Sequence, residues 1–382
     1  MDYQIPSEFG QLADLARQFV RRELHPHEEQ VERDDRVPDE LRRSLRAKAV
    51  ELGLFAFNMP EEAGGPGLPY LAQVLIREQL GHASVALADM AGRPPRALLA
   101  CRGDQRDRFL LPAVRGEKTW AFALTEPGSG SDAGAMRTRA ERCAGGWRLN
   151  GSKHFISHGD VADFVIVFAK AHDDGRELPT AFLVERGTPG FGVGRVHPKM
   201  GWRGYPVAEL VFDDAFMPDD AVLGAPGEGM RLAMSNIAEA RIGVAAHCVG
   251  LAQRALDLAV EHISVRQQFG QPLARFQGLQ WMVAEMAVEL EQSRALLIAA
   301  ARAMDSGRDA RQAVSMAKLS ATEMAGRVTD RAVQLMGGSG YMAESPMERL
   351  FRDARAFRIG EGTSEIQKNQ IARAVLGREA AA

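Results

Sequence analysis

The chain has 382 residues, which suits two or three packed domains better than one small core. It is 46% apolar and 25% charged, its formal net charge is -3, and no apolar run is long enough to span a bilayer. These figures argue against a general nucleic-acid binder, a binder of anionic membranes and a helical membrane span.

Residues 1 to about 118 read as helices. LADLARQFVRREL, LRRSLRAKAVELGL and YLAQVLIREQLGHASVAL repeat apolar residues every three or four positions, and the Gly/Pro loop PEEAGGPGLP parts two of them. The basic cluster Arg42, Arg43, Arg46 and Lys48 reads as a solvated helix face. From Trp120 to Leu223 the period shortens: WAFALT, WRLNG, DFVIVFA, TAFLVE, FGVGRV and ELVFD are short runs bounded by Gly, Pro and Asp, as in an antiparallel β domain. No helical stretches separate them, so a doubly wound parallel sheet is not expected. After APGEGM the helical period returns. The stripe Met230, Met234, Ile237, Arg241, Val244, Cys248, Leu251, Ala255 and Leu258 places an arginine among core positions. A buried guanidinium needs a carboxylate or strong acceptors, so Arg241 is expected to anchor something. Glu239 lies roughly 200° around the helix and is not its natural partner. Helices at about 276–304 and 310–336 complete a bundle with Leu279, Met282, Met286, Leu290 and Leu297 facing inward. The expected fold is α+β: a helical domain over 1–118, a β domain over 119–226 and a helical bundle over 227–382.

Cys101, Cys143 and Cys248 are too far apart for a paired framework, which fits a reducing compartment. The opening MDYQIPSEFGQ lacks the basic start and apolar stretch of a signal peptide, and the closing GREAAA matches no lipidation or retention signal. A cytoplasmic location is the expectation.

Four segments carry chemistry. TEPGSGSD (Thr125 to Asp132) offers free N–H groups, hydroxyls and close approach, though Gly/Ser turns of this kind are common between strands. In NGSKHFISHG, His154 and His158 would lie roughly 13 Å apart on an extended segment, with no Asp or Glu nearby to complete a metal site. No metal is expected. RQQFG and AVQLMGGSGY close two bundle helices, the double glycine as a C-cap. In RIGEGTSEIQ, Ser364 and Gln367 read as a capping box for the final helix, which sets Glu361 in a turn between Gly360 and Gly362. Such a turn lets one residue present a carboxylate base and a free N–H for a developing enolate oxygen. A solvated turn glutamate would look the same locally.

Taken in order, ALTEPGSGSD, NGSKHFIS, GLAQRALDLA with RQQFG, AVQLMGGSGY, RDAR and EGTSEIQ resemble the acyl-CoA dehydrogenase family over nearly the whole chain. The resemblance implies the same three-domain order, a homotetramer and FAD bound partly across a subunit interface. It implies Thr125, Gly130 and Ser131 near the flavin, Ser131 also near substrate, Phe155 packed on the ring and Ser157 at flavin N5. Arg266, Phe269, Gln334 and Gly338 match residues that reach FAD in the neighbouring subunit, and Thr363 and Glu365 match contacts from the same chain. Glu361 matches the base that takes the α-proton of an acyl-CoA while flavin N5 takes the β-hydride. The alternative position for that base, just before Arg241, holds Ala240. Arg241 and Gly360 match substrate-side positions. Gly360 replaces a tyrosine common in relatives, which implies room for branched or cyclic acyl groups. Ala238 replaces an aspartate that in relatives helps hold the CoA arm. Arg93 and Arg96, in AGRPPRAL, either meet a polar acyl tail or belong to a surface loop, the second being the expectation. The implied partners are an acyl-CoA and an electron-transfer flavoprotein. An acyl-CoA oxidase using O2 stands as an alternative, and so does a DNA-associated flavoprotein, although the mixed charges after residue 230 speak against the latter.

Overall fold

The structure, a computed structural model, describes residues 3–377. The first two residues and the tail after Gly377, part of the segments read above for targeting signals, lie outside the described residues.

The N-terminal helices are α1 (Ser7–Phe19), α2 (Glu28–Asp34), α3 (Asp39–Glu51) and α4 (Tyr70–Leu80), followed by the short α5 (Val85–Ala88) and α6 (Leu111–Val114). Their apolar spacing buries Ala16, Phe19, Leu45, Ala49, Ile76 and Leu80 in one core. Pro69 gives α4 no side-chain cap. Instead the Asp305 carboxylate accepts from Tyr70 N at 2.6 Å and Leu71 N at 3.0 Å, tying the helix to the bundle. The expected solvated cluster holds for Arg43 and Lys48 only. Arg46 turns inward, donates to Thr119 Oγ1 at 3.0 Å and lies over the Phe55 ring.

The middle domain is an eight-stranded sheet: β1 (Trp120–Ala123), β2 (Arg139–Cys143), β3 (Gly146–Ser157), β4 (Phe164–Asp173), β5 (Arg176–Glu185), β6 (Phe191–Val196), β7 (Val207–Pro218) and β8 (Val222–Leu223). Most pairs are antiparallel, as expected, but β1 and β2 both run parallel to β4, end to end along one of its edges. The 125–132 loop lies between them and carries the chain along that edge instead of turning it back. Phe164, Ile166 and Phe168 of β4 join the helical core, while Val165, Val167 and Ala169 join the core of the β domain. The period of two thereby welds the domains together.

The bundle consists of α7 (Gly229–Val265), a small β9 (Gln267–Gln268) and β10 (Gln271–Pro272) hairpin, α8 (Gln277–Asp305) and α9 (Arg311–Met336), then α10 (Gly338–Tyr341), α11 (Pro346–Phe357) and α12 (Ser364–Leu376). Met286, Leu290 and Leu297 are buried, with Leu279 and Met282 packed against that core. The α7 stripe divides in two. Cys248, Leu251 and Ala255 are core, but Met234 is exposed, and Met230, Ile237, Arg241 and Val244 are only partly covered. The buried face in the first half belongs to Leu232, Ala233, Glu239, Ile242 and Gly243. Among the described residues no helix is long and apolar enough to cross a membrane, and the three cysteines are free.

Candidate active site

Glu361 occupies the turn between α11 and α12 with a left-handed φ of 55°, followed by Gly362 at 88°. The cap lies one residue earlier than expected. Thr363 is the N-cap, its Oγ1 accepting from Ile366 N at 3.3 Å, and Ser364 is the first helical residue. The Ser364 hydroxyl is drawn away to Glu323 Oε1 at 2.6 Å, and the Gln367 amide donates to Gly362 O at 2.9 Å instead of closing a box.

Two cations pin successive carbonyls of this turn. Arg241 Nε donates to Glu361 O at 3.0 Å and Lys318 Nζ donates to Gly362 O at 2.9 Å. Arg241 Nη1 also reaches Gln370 Oε1 at 2.8 Å, which accepts from Ser315 Oγ at 2.8 Å. Arg241 therefore anchors something, as expected, through strong acceptors and not a carboxylate. A Cβ at Gly362 would sit 2.9 Å from Gln367 Nε2 and 3.0 Å from Arg241 Nη2, so only glycine suits this left-handed position. The Glu361 N–H donates to no protein acceptor among the described residues. Gly360 is different: its φ is not left-handed, and a Cβ there would meet only Ala356 O at 3.9 Å. Space for a side chain stands open beside the carboxylate.

Glu361 is crowded by surrounding protein atoms yet keeps an exposed face. Loss of bulk water raises its pKa above the ordinary carboxylate value, against the opposing charges of Arg241, Lys318 and Arg93. Burial pulls the Lys318 ammonium down to about 8. Sequence reasoning missed Lys318, although the signal was present: it falls on the stripe Val314, Ala317, Ala321, Met324 and Ala325 of α9, a cation among core positions as at Arg241.

The β domain supplies the opposing face. Lys153 is fully buried and bonds Leu124 O at 3.1 Å and Glu126 Oε1 at 2.7 Å, while Glu126 also accepts from Arg137 N and Thr138 N. This knot fixes the base of the 125–132 loop and leaves Gly130 and Ser131 exposed with Thr125 half-buried. A register shift between Lys153 and Ile156 throws Phe155 outward at a φ of 57°, with the residue 62% exposed. A flat aromatic and open glycine N–H groups on one face fit a flavin. The Ser157 hydroxyl and the Glu361 charge both act on the buried Tyr205 phenol, which sets the β face and the Glu361 turn around one ring.

His154 is not paired with His158. Its Nδ1 lies 3.2 Å from Glu209 Oε1, with His197 Nε2 at 3.7 Å from the same oxygen. The expectation that no carboxylate stood nearby is overturned, because β7 pairs with β3 and brings Glu209 across from a distant part of the sequence. His158 instead meets Asp89 at 3.1 Å. Arg93 and Arg96 are likewise not a surface loop. Arg93 Nη2 lies 2.9 Å from Glu239 Oε1 and Arg96 Nε lies 3.2 Å from Glu239 Oε2, with Glu239 only 5% exposed.

The remaining expected site residues separate into two groups. Thr363 and Glu365 stand at the start of α12 beside the Glu361 turn. Arg266, Phe269, Gln334 and Gly338 lie at the far ends of α7 and α9, all exposed. Arg266 follows Arg241 by 25 residues of one helix, roughly 37 Å.

Three family descriptions match this chain: "Acyl-CoA dehydrogenase, N-terminal domain" over residues 6–117, "middle domain" over 121–215 and "C-terminal domain" over 227–376. An acryloyl-CoA reductase (NADH) of Anaerotignum propionicum is 40% identical over 385 aligned residues, covering 99% of this chain and 97% of that one. The butyryl-CoA dehydrogenase structure from Megasphaera elsdenii superposes with a TM-score of 0.91 at 35% identity, covering 99% of this chain and 100% of the other. A Bacillus anthracis acyl-CoA dehydrogenase complexed with FAD gives 0.89 at 31% identity, over 98% of this chain and 68% of the other.

Proposed function

Because the chain belongs to the acyl-CoA dehydrogenase family, FAD-dependent oxidoreductases acting on CH–CH bonds, we propose that it desaturates an acyl-CoA thioester with Glu361 as base. The observation that carries this reading is the Glu361 turn, which combines an accessible carboxylate, an unspent N–H and two pinned carbonyls. The carboxylate takes the α-proton. The N–H of the same residue meets the thioester oxygen as negative charge builds there, in a cleft from which substrate excludes water. Bound FAD supplies the acceptor for the β-hydrogen and its electron pair. On this reading Thr125, Gly130, Ser131, Phe155 and Ser157 hold the flavin from one protomer, with Thr363 and Glu365 beside them. Arg266, Phe269, Gln334 and Gly338 reach it from a neighbour in a homotetramer. The open space at Gly360 supports tolerance of branched or cyclic acyl groups.

Anaerobic bleaching of the flavin by butyryl-, isobutyryl- and cyclohexanecarbonyl-CoA tests the reaction. Glu361→Gln should keep FAD and fold while slowing bleaching on the order of 10²–10⁴-fold. A near wild-type rate in that variant would show that another group is the base. The relative named as a reductase supports a second reading, in which the same site runs toward the saturated thioester. Comparing electron-transfer flavoprotein, O2 and NADH as redox partners separates the two directions and the oxidase alternative.

A further inference from the structure

The sheet bulges on both sides of Glu209. On β3, Lys153 pairs with Leu210 and Ile156 with Ala208; on β6, Val193 pairs with Leu210 and Val196 with Ala208. Two residues of each neighbouring strand therefore stand against one residue of β7, a device that re-aims side chains. His154 lies in the first bulge and His197 just past the second. Backbone bonds tie both down, His154 N to Thr125 O at 2.9 Å and His197 N to Val207 O at 2.8 Å. Gly194 lies in the second bulge. A Cβ there would sit 3.1 Å from Glu209 Cβ and 3.3 Å from its Oε2, so the glycine leaves the carboxylate room.

His154, His197 and Glu209 offer one ligand atom each, all within 4.8 Å of one another. Glu209 Oε1 faces both rings, 3.2 Å from His154 Nδ1 and 3.7 Å from His197 Nε2, and the imidazoles stand edge to face with centroids 4.7 Å apart. The His197 Nε2 is buried and has no hydrogen-bond partner. An orphaned buried nitrogen is costly, and a ligand bound to it removes that cost. The cations on the same segment, Arg195 and Lys199, make no ion pair with Glu209 among the described residues. Ligands held about 2.0–2.2 Å from a tetrahedral Zn²⁺ stand ~3.4 Å apart, a value that the two separations from Glu209 bracket. Two imidazoles and one carboxylate suit Zn²⁺ better than Mg²⁺ or Ca²⁺ and leave a fourth position for water. Against the sequence expectation of no metal, which weighed His154 only with His158, we propose that His154, His197 and Glu209 bind one zinc-type divalent cation. Held there, the cation clips β3, β6 and β7 together at their bulges. It also steadies Phe155, whose ring centroid lies 4.0 Å from that of His154 and 5.1 Å from that of His197.

The FAD-loaded enzyme, stripped of metals with a chelator, is titrated with Zn²⁺ alone by calorimetry and melted with and without it. One Zn²⁺ per chain should bind, and Tm should rise with Zn²⁺ concentration, because only the folded sheet assembles the three ligands. Glu209→Gln and His197→Ala should each weaken binding at least about tenfold and abolish the rise. His172→Ala, a histidine of β4 outside the cluster, should leave both unchanged. Melting without metal shows whether each variant folds, and His154→Gln serves as the probe if either does not. Mg²⁺ at the same concentrations should neither bind nor raise Tm. Absence of Zn²⁺ binding by the wild type would overturn the site. So would binding that survives loss of Glu209 and His197, or equal binding of Mg²⁺.

Discussion

At the scale of single residues, the site depends on how cations are placed around one carboxylate. Lys318 does two things: it holds Gly362 O at 2.9 Å, and its charge opposes the upward shift of Glu361. Removing a nearby cation disfavours the carboxylate form, so Lys318→Met should raise the Glu361 pKa further. If Glu361 is the base, flavin reduction requires that carboxylate ionised, and its rate rises with pH. The acidic limb should therefore move to higher pH in the variant, as stopped-flow bleaching between pH 5 and 9 would reveal (roughly the range over which such groups titrate). A lower rate with an unmoved limb would mean that Lys318 serves only the turn. The turn that carries Glu361 was legible in the sequence, because its flanking glycines and the helix signals after it mark a break before α12. Arg241 was legible as a cation on an apolar stripe, and Lys318 carried that signal too. The pairing of Arg93 and Arg96 with Glu239 was not, since contacts across 36 to 181 positions, as when Asn58 reaches both Pro94 and Glu239, leave no local pattern.

Between elements, the junctions are ionic where a period-based reading expects only apolar seams. Glu28 of α2 is 5% exposed and accepts from Arg254 of α7 at 2.7 and 2.8 Å, from Arg349 of α11 at 2.6 Å and from Ser84 N at 2.7 Å. Burial pushes its carboxyl up, but the Arg254 hydrogen bond and the two guanidinium charges outweigh this and hold the pKa below the ordinary value. A depressed carboxylate pKa contributes stability above its unfolded value and loses it as pH falls through the folded one. Glu28→Ala leaves two buried guanidiniums without their anion and should cost about 3–5 kcal/mol, whereas exposed Glu29→Ala should stay within about 0.5 kcal/mol. Urea unfolding of the two variants side by side measures the difference, and equal midpoints would remove Glu28 from the account. In sequence, EEQVERD looks like an ordinary solvated helix, because nothing local marks which of two adjacent glutamates turns inward. The period changes at Trp120 and after Leu223 were readable because each strand and helix buries one face. The parallel pairing along β4 was not readable, since register and direction are set by the long 125–132 loop and not by alternation.

At the scale of the whole molecule, the two groups of residues that the proposed function assigns to FAD stand too far apart in one protomer to meet. Phe155 and Ser157 face the Glu361 turn, while Arg266 stands roughly 37 Å farther along α7 from Arg241. The far end is also where the chain leaves large apolar groups bare: Phe269 is 93% exposed, Tyr341 74%, Val265 73% and Trp281 61%. Exposed aromatics gathered beside Arg266, which makes no ion pair among the described residues, suit a surface for another chain and favour the oligomer proposed above. If Arg266 completes the flavin site of a neighbour, Arg266→Ala removes a charge-assisted hydrogen bond made across subunits. Such a bond is worth about 1.5–3 kcal/mol, so FAD affinity should fall roughly 10- to 150-fold. The folded protomer should be spared, because Arg266 supports little of its own core. Two measurements separate this from a purely local role. The FAD-to-protein ratio after gel filtration should drop in Arg266→Ala and Phe269→Ala while far-UV circular dichroism stays unchanged. Dilution of the wild type should then release FAD and dissociate the oligomer over the same concentration range. A monomer that keeps stoichiometric FAD on dilution would place the whole cofactor site within one chain, and the far end of α7 would need another explanation.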